Sequence, residues 1–245
     1  MGTQERRERE KARVRDKIKA AARELFASEG YGAVSMRRIA EAIEYSPTAI
    51  YVHFADKDAL MREICRDDFD RLSGAFAELA AIADPVERIR RVGHAYIQFG
   101  ATYPNHYRLM FMTERPALAL DADDLARKGR PEADAYAFLR AAVSEAIAQG
   151  RVRTGVPADA ELLAQTLWAG VHGVTSIEIS HCKDRWIELS PLQERARMMA
   201  DLTTDGIFAP VAGASSPASD TKSKAGKTQQ RQAQRHSGEK KARSR

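Results

Sequence analysis

Cysteine is scarce. Cys65 and Cys182 are the only two in 245 residues, and neither belongs to a CxxC pair. That pattern argues against a disulfide framework and a structural zinc site, and it fits a reducing, cytoplasmic compartment. No apolar run reaches the roughly 18 residues that a membrane span needs, so no membrane partner is expected. The first ten residues, MGTQERRERE, are charged where a secretory leader is apolar. GxSxG, HExxH, GxGxxG and P-loop patterns are all missing. No catalytic residue, cofactor or metal is therefore expected; His181-Cys182 with His94 or His106 lacks ligand spacing. Strand-like alternation and internal repeats are missing too, which leaves an all-α chain.

Helical periodicity is abundant. Val14, Ile18, Ala21, Ala22, Leu25 and Phe26 make an apolar stripe over a predicted helix at 13–29, ended by Gly30. The charged residues 1–12 before it are expected to be flexible. A long helix over 57–83 turns Leu60, Ile64, Phe69, Leu72, Phe76 and Leu79 inward. Asp84-Pro85 starts the next helix, and Tyr103-Pro104-Asn105 breaks it. A short apolar helix follows at 106–113, a loop at 114–130, and further helices at 131–149, 158–180 and 191–207. Beyond Val211 no aromatic or aliphatic residue other than alanine remains. A segment that buries so little cannot offset its ordering entropy, so 211–245 is expected to be a disordered basic tail.

The net charge of +5 is unevenly divided: +3 over 1–57, −5 over 58–210 and +7 over 211–245. Basic charge sits at the two ends, as phosphate binding requires, and the mildly acidic middle has no reason to touch nucleic acid.

The densest signal is 35–57, SMRRIAEAIEYSPTAIYVHFADK. Met36, Ile39, Ala40 and Ile43 share one helical face behind the capping Ser35. Ser46 and Pro47 then supply a second cap and a proline at the first helical position. The second helix is too short to stand alone. Its outward side chains, Thr48, Ala49, Tyr51, Val52 and His53, suit a DNA major groove.

These residues resemble the helix-turn-helix of TetR-type (TetR/AcrR) transcriptional regulators. Ser35, Ile39-Ala40, Ser46, Ile50-Tyr51-Val52-His53-Phe54 and Lys57 stand at the family's spacing. One departure is Glu44-Tyr45, where the family has Gly-Val. The glycine supplies a left-handed residue that ends the first helix, and another residue there costs about 1 kcal/mol.

The resemblance implies a DNA-binding domain at 13–72, with its helix-turn-helix at 35–54, and a helical ligand-binding and dimerisation domain at 84–208. It implies that Ser35, Arg37, Tyr51, His53 and Lys57 lie along phosphates. Arg38 would reach a phosphate or a groove edge, while Pro47, Thr48 and Ala49 approach base edges. Arg13, Arg15 and Lys17 are either further phosphate contacts or a solvated face. The tail is either a non-specific DNA-binding element or a solubilising segment.

The helix at 158–180 carries LWAGVHGV, and glycine inside a helix suggests close approach by another helix. With His106-Tyr107-Arg108-Leu109-Met110-Phe111, it resembles the Trp-His-Gly (WHG) subgroup of the family. In the family the last two helices pair across a homodimer, here 159–180 and 191–207, which suits a palindromic operator. Family members also hold an effector among their C-terminal helices. Tyr96, Phe99, Tyr103, Tyr107, Met110, Phe111, Phe138, Trp168 and His172 are the candidate lining residues, each with the alternative of being ordinary core. The expected function is a ligand-responsive regulator, a repressor by family norm, bound to double-stranded operator DNA and released by an unidentified small molecule. A helical small-molecule-modifying enzyme and an interaction module that does not bind DNA are the alternatives.

Overall fold

A computed structural model describes residues 2–114, 121–182 and 184–210 of the chain. Among them run ten α-helices: α1 Thr3–Glu29, α2 Met36–Ala42, α3 Pro47–Tyr51, α4 Lys57–Ala77, α5 Pro85–Thr102, α6 Pro104–Phe111, α7 Ala122–Arg127, α8 Ala135–Ala148, α9 Ala160–His181 and α10 Leu192–Ile207. A single antiparallel bridge joins Val152 to Phe208. The all-α expectation holds. The starts are chemically marked: the side chains of Ser35, Ser46, Asp56, Asp84, Asp134 and Asp159 each accept a first-turn N–H.

Several boundaries differ from expectation, α8 beginning at Ala135 and α6 at Pro104 among them. α1 begins at Thr3, so residues 3–12, expected to be flexible, continue the helix. Glu, Arg, Lys and Gln are strong helix formers, and Gln4 donates to Glu8 one turn on. α4 stops at Ala77 and tightens into a 3-10 turn over Glu78–Ala81. The expected loop at 114–130 contains α7, held by a capping box in which Asp121 and Asp124 satisfy each other's backbone N–H groups. The remainder of that loop at 115–120 and the tail at 211–245 lie outside the described residues.

Residues Met1–Ala209 make one compact unit with two cores. The first, here called the head, packs Ile18, Ala22 and Phe26 of α1 against Ile39, Ala40, Ile50, Phe54, Leu60 and Ile64. Each fully buried isoleucine or leucine contributes about 1.5–3 kcal/mol. The second, the body, packs α5 against α8, α9 and α10 around Ile89, Tyr96, Leu139, Val143, Leu167 and Val171. α6 belongs to both: Leu109 is buried in the head core, while Tyr107 and Met110 are buried in the body core.

Polar contacts reinforce that seam. Asp68 of α4, only 1% exposed, accepts from Arg23 Nη2 at 2.8 Å and Nε at 3.2 Å, and lies 2.8 Å from His106 Nδ1. Asn105 donates to Glu24 at 2.7 Å. A buried carboxylate is tolerable only with such partners.

Two glycines explain close helix packing. A Cβ at Gly100 of α5 would overlap Thr175 Cγ2 of α9 and stand 3.0 Å from the Tyr107 ring. At Gly170 of α9 it would meet Met199 Sδ of α10 at 3.0 Å.

Candidate nucleic-acid interface and ligand cavity

α2 and α3 are held by their inward faces. Met36, Ile39, Ala40, Ile43, Ile50 and Phe54 are buried. The turn between them is a Schellman closure: Tyr45 N–H donates to Ala40 O at 2.9 Å, and Glu44 N–H to Glu41 O at 3.2 Å. Glu44 occupies the left-handed position with φ 61°, the one non-glycine residue with positive φ among the described residues. The departure Glu44-Tyr45 therefore keeps the geometry that glycine favours. Lys17 supports it, donating to Ile43 O at 3.1 Å with its ammonium 5.0 Å from the Tyr45 ring centre.

On α3 Pro47 and Thr48 are exposed, Ala49 partly so and Tyr51 at 54%, and Val52 just past its end is 71% exposed. Ser35 caps α2, accepting from Arg38 N. Arg37 and Arg38 are exposed beside it and are held by Glu41 at 2.9 Å and Glu29 at 3.0 Å. The exposed groups on these two helices are thus capping hydroxyls, guanidinium groups, a phenol and small side chains.

Lys57 and His53 are placed otherwise. Lys57 Nζ donates to Tyr31 O at 2.9 Å and Val34 O at 3.0 Å and sits 4.1 Å from the Tyr31 ring centre. It clamps the α1–α2 connection and keeps one N–H left over. His53 is half-buried, and its Nδ1 is buried without a partner among the described residues. Burial first, then the charges of Arg15 and Lys11, hold its imidazole below the usual histidine range. Arg15 is likewise committed: it pairs with Glu63, donates to His53 O at 2.5 Å and stacks 4.2 Å from the Phe54 ring centre. Neither clamp is visible in sequence, because the partners lie 23 to 48 residues away.

The body encloses a cavity of about 760 Å³. Its wall is apolar and aromatic, with Phe69 and Phe76 of α4, Tyr96 of α5, Phe111 of α6, Tyr136 of α8 and Trp168 of α9. Polar groups are few: His172, Glu161, Gln165, Asp134, Thr203 and Thr204. Among the described lining residues no lysine or arginine occurs.

One hydrogen-bonded chain fixes a corner of that wall. Trp168 Nε1 donates to Tyr96 Oη at 3.0 Å, Tyr96 Oη is 3.1 Å from Tyr107 Oη, and Tyr107 Oη is 2.6 Å from His172 Nδ1. Trp168 can only donate. Running the donors in order makes Nδ1 the acceptor and leaves the imidazole proton on Nε2. Burial holds His172 below its usual range, in keeping with a neutral ring. Burial also pushes Tyr96 up to about 12 and Tyr107 higher still, so both phenols stay protonated. At another edge Tyr136 Oη donates to Glu161 at 2.6 Å; the bond lowers the carboxylate's pKa and, after burial, raises the phenol to about 12.

Of the expected lining residues, Tyr96, Phe111, Trp168 and His172 reach the cavity. Phe99, Tyr103, Met110 and Phe138 pack behind it in the core, and Tyr107 acts from the second layer through its hydroxyl. Phe69, Phe76, Tyr136, Glu161 and Gln165 also line the cavity, beyond the residues that the sequence singles out. The first two lay in a stripe that reads equally as core, and nothing local marks the others.

Two family models match the chain: "Bacterial regulatory proteins, tetR family" over residues 18–64, and "Tetracyclin repressor-like, C-terminal domain" over 89–202. The chain is 35% identical over 81 residues to the HTH-type transcriptional regulator UidR of Escherichia coli, 33% of this chain and 38% of that one. It is 29% identical over 135 residues to the HTH-type transcriptional repressor AcnR of Corynebacterium efficiens, covering 49% and 70% of the two. The match thus spans under two thirds of the E. coli relative's length. Its fold is that of the TetR family regulator PfmR of Thermus thermophilus, with TM-score 0.59, 23% identity and coverage of 77% and 97%. It also resembles the fatty acid degradation regulator FadR of Bacillus halodurans, with TM-score 0.61, 16% identity and coverage of 78% and 95%. The two models together account for the head and most of the body, and the chain belongs to the TetR family of bacterial transcriptional regulators.

Proposed function

We propose that this regulator binds a palindromic DNA operator as a homodimer, as a repressor, and is released when a small molecule fills the body cavity. The outward face of the capped α3 carries the DNA reading. Pro47, Thr48 and Ala49 approach base edges, with Val52 beside them as an apolar contact. Ser35, Arg37, Arg38 and Tyr51 position the helix on phosphates. His53 and the remaining N–H of Lys57 act at the margin of that surface, since each side chain is already engaged or half-buried.

The dimer face is the outer side of α9 and α10. Leu162, Ile177, Met198 and Leu202 are exposed there, and a Cβ at Gly173 would meet nothing within 4 Å. An open glycine and unpaired apolar side chains suit a second copy of the same helices. The Trp168…His172-Gly173 pattern supports the WHG subgroup. No enzymatic step is proposed.

The effector is best read from the wall chemistry. An aromatic cavity with carboxylates and, among its described lining residues, no lysine or arginine favours an apolar molecule that is neutral or cationic and carries an acceptor for His172 Nε2–H. An anion such as a fatty acid carboxylate finds no lysine or arginine among those described residues. Isolating duplexes bound from a random pool, then repeating with hydrophobic cations and fatty acids, tests both parts. A shared inverted repeat and release by the cation are expected. Failure to enrich any sequence sinks the operator reading, and release by fatty acids alone sinks the effector reading. A Thr48→Ala/Tyr51→Ala variant that stays dimeric yet keeps full specific affinity would remove α3 from the assignment.

A further inference from the structure

α1 begins well before the head core. Ile18 is its first fully buried residue, so 3–13 project as an overhang of about 16 Å at 1.5 Å per residue. The stripe that is apolar at Val14, Ile18, Ala22 and Leu25 continues backward into the overhang as Lys11 and Arg7. Arg7, Lys11 and Arg15 follow each other at i, i+4 and i+8, about 6 Å apart along one face.

The last member fixes where the stripe lies. Arg15 donates to His53 O just beyond the end of α3 and stacks on Phe54. Lys11 is the next positive charge to influence His53. The stripe therefore starts beside the end of α3 and runs outward. Arg7 and Lys11 are exposed, and among the described residues neither has a carboxylate partner. The nearby acids are engaged or off the stripe: Glu8 accepts from Gln4 at 3.0 Å, and Glu10 pairs with Arg13 at 3.6 Å. A cation every 6 Å matches roughly every second nucleotide of one strand, which rises 3.4 Å per residue.

We propose that Arg7 and Lys11 form a further phosphate-binding site, holding duplex DNA beyond the bases read by α3. The inference rests on the DNA reading above and extends its footprint. The site carries no sequence information; it adds affinity and salt dependence.

The test uses the full chain and a duplex selected from random sequence, with affinity measured across salt concentrations. Arg7→Gln/Lys11→Gln keeps helix formers, checked by circular dichroism. Its slope of log K against log salt should be shallower by roughly 1.8, about 0.9 per lost contact, with the preferred sequence unchanged. Arg6→Gln/Arg13→Gln, on the opposite face, should change the slope less. A wild-type slope in the first variant, or an equal loss in the second, overturns the inference while leaving the α3 reading intact. A wild type that selects no duplex overturns both.

Discussion

Tyr107 Oη lies 2.6 Å from His172 Nδ1, while Tyr96 Oη lies 3.2 Å from the same atom. One nitrogen lone pair takes one donor, so the shorter contact holds the proton and Tyr96 turns its own toward Tyr107. Tyr107→Phe removes the donor and leaves Nδ1 to the weaker Tyr96 contact. A loss of about 1–3 kcal/mol is expected in denaturant unfolding, as for a buried acceptor losing its partner. Undiminished stability would show that the chain of hydroxyls does not hold the wall.

Both His53 and His172 have folded-state pKa values held below 6.5. The unfolded chain then binds more protons than the folded one as pH falls through 6.5 toward the depressed values. Stability is present above that window and is lost on acidification within it. Thermal melts between pH 7.5 and 5 should show a falling Tm, and His172→Gln should flatten part of the fall. A Tm that rises on acidification contradicts the assignment.

Glu44 holds φ 61° in the α2–α3 turn. Glu44→Gly relieves a left-handed conformation costing about 1 kcal/mol, partly offset by greater unfolded-state freedom. The variant should be as stable as the parent or more so, read as the denaturant midpoint. A clear drop would mean that the Glu44 side chain itself supports the turn.

Gly100→Ala drives a methyl group into Thr175 Cγ2. Overpacking of this kind costs about 1–3 kcal/mol. Thr175→Ser removes the opposing methyl and keeps the hydroxyl that donates to Val171 O at 2.8 Å. The double variant should therefore recover much of the loss, and a double-variant cycle reads the coupling directly. Additive losses would place the strain elsewhere.

The head was largely legible in the sequence because its signals are local. Ser35, Ser46 and Pro47 cap the helices they precede, and Ile39, Ala40, Ile50 and Phe54 fall on the buried side. Long-range partners were not legible. Lys57 reads as a cation near DNA, and its second task, holding the carbonyls of Tyr31 and Val34, shows only once the chain is folded. The cavity was legible only in part for a related reason. Trp168 and His172 stand out as unusual residues on a glycine-bearing helix, but a core phenylalanine and a cavity phenylalanine share the same spacing. Phe138 packs inside while Phe69 and Phe76 face the void, and only the assembled helices separate them. α7 escaped because it has a capping box but no buried residue to give it a stripe.

The eight residues of α6 put Leu109 in one core and Tyr107 with Met110 in the other. The head and body are therefore not interchangeable modules, although family models describe them separately. A head cut out at the start of α5 would keep its helices but lose the side chain that plugs its base. Grafted onto a foreign body, it would need a matching plug and a replacement for His106 beside Asp68, which keeps Arg23. A crossover before α5 strips the head of Leu109, and one after Phe111 takes α5 away from α8, α9 and α10, so chimeric regulators made from this chain should break one core or the other.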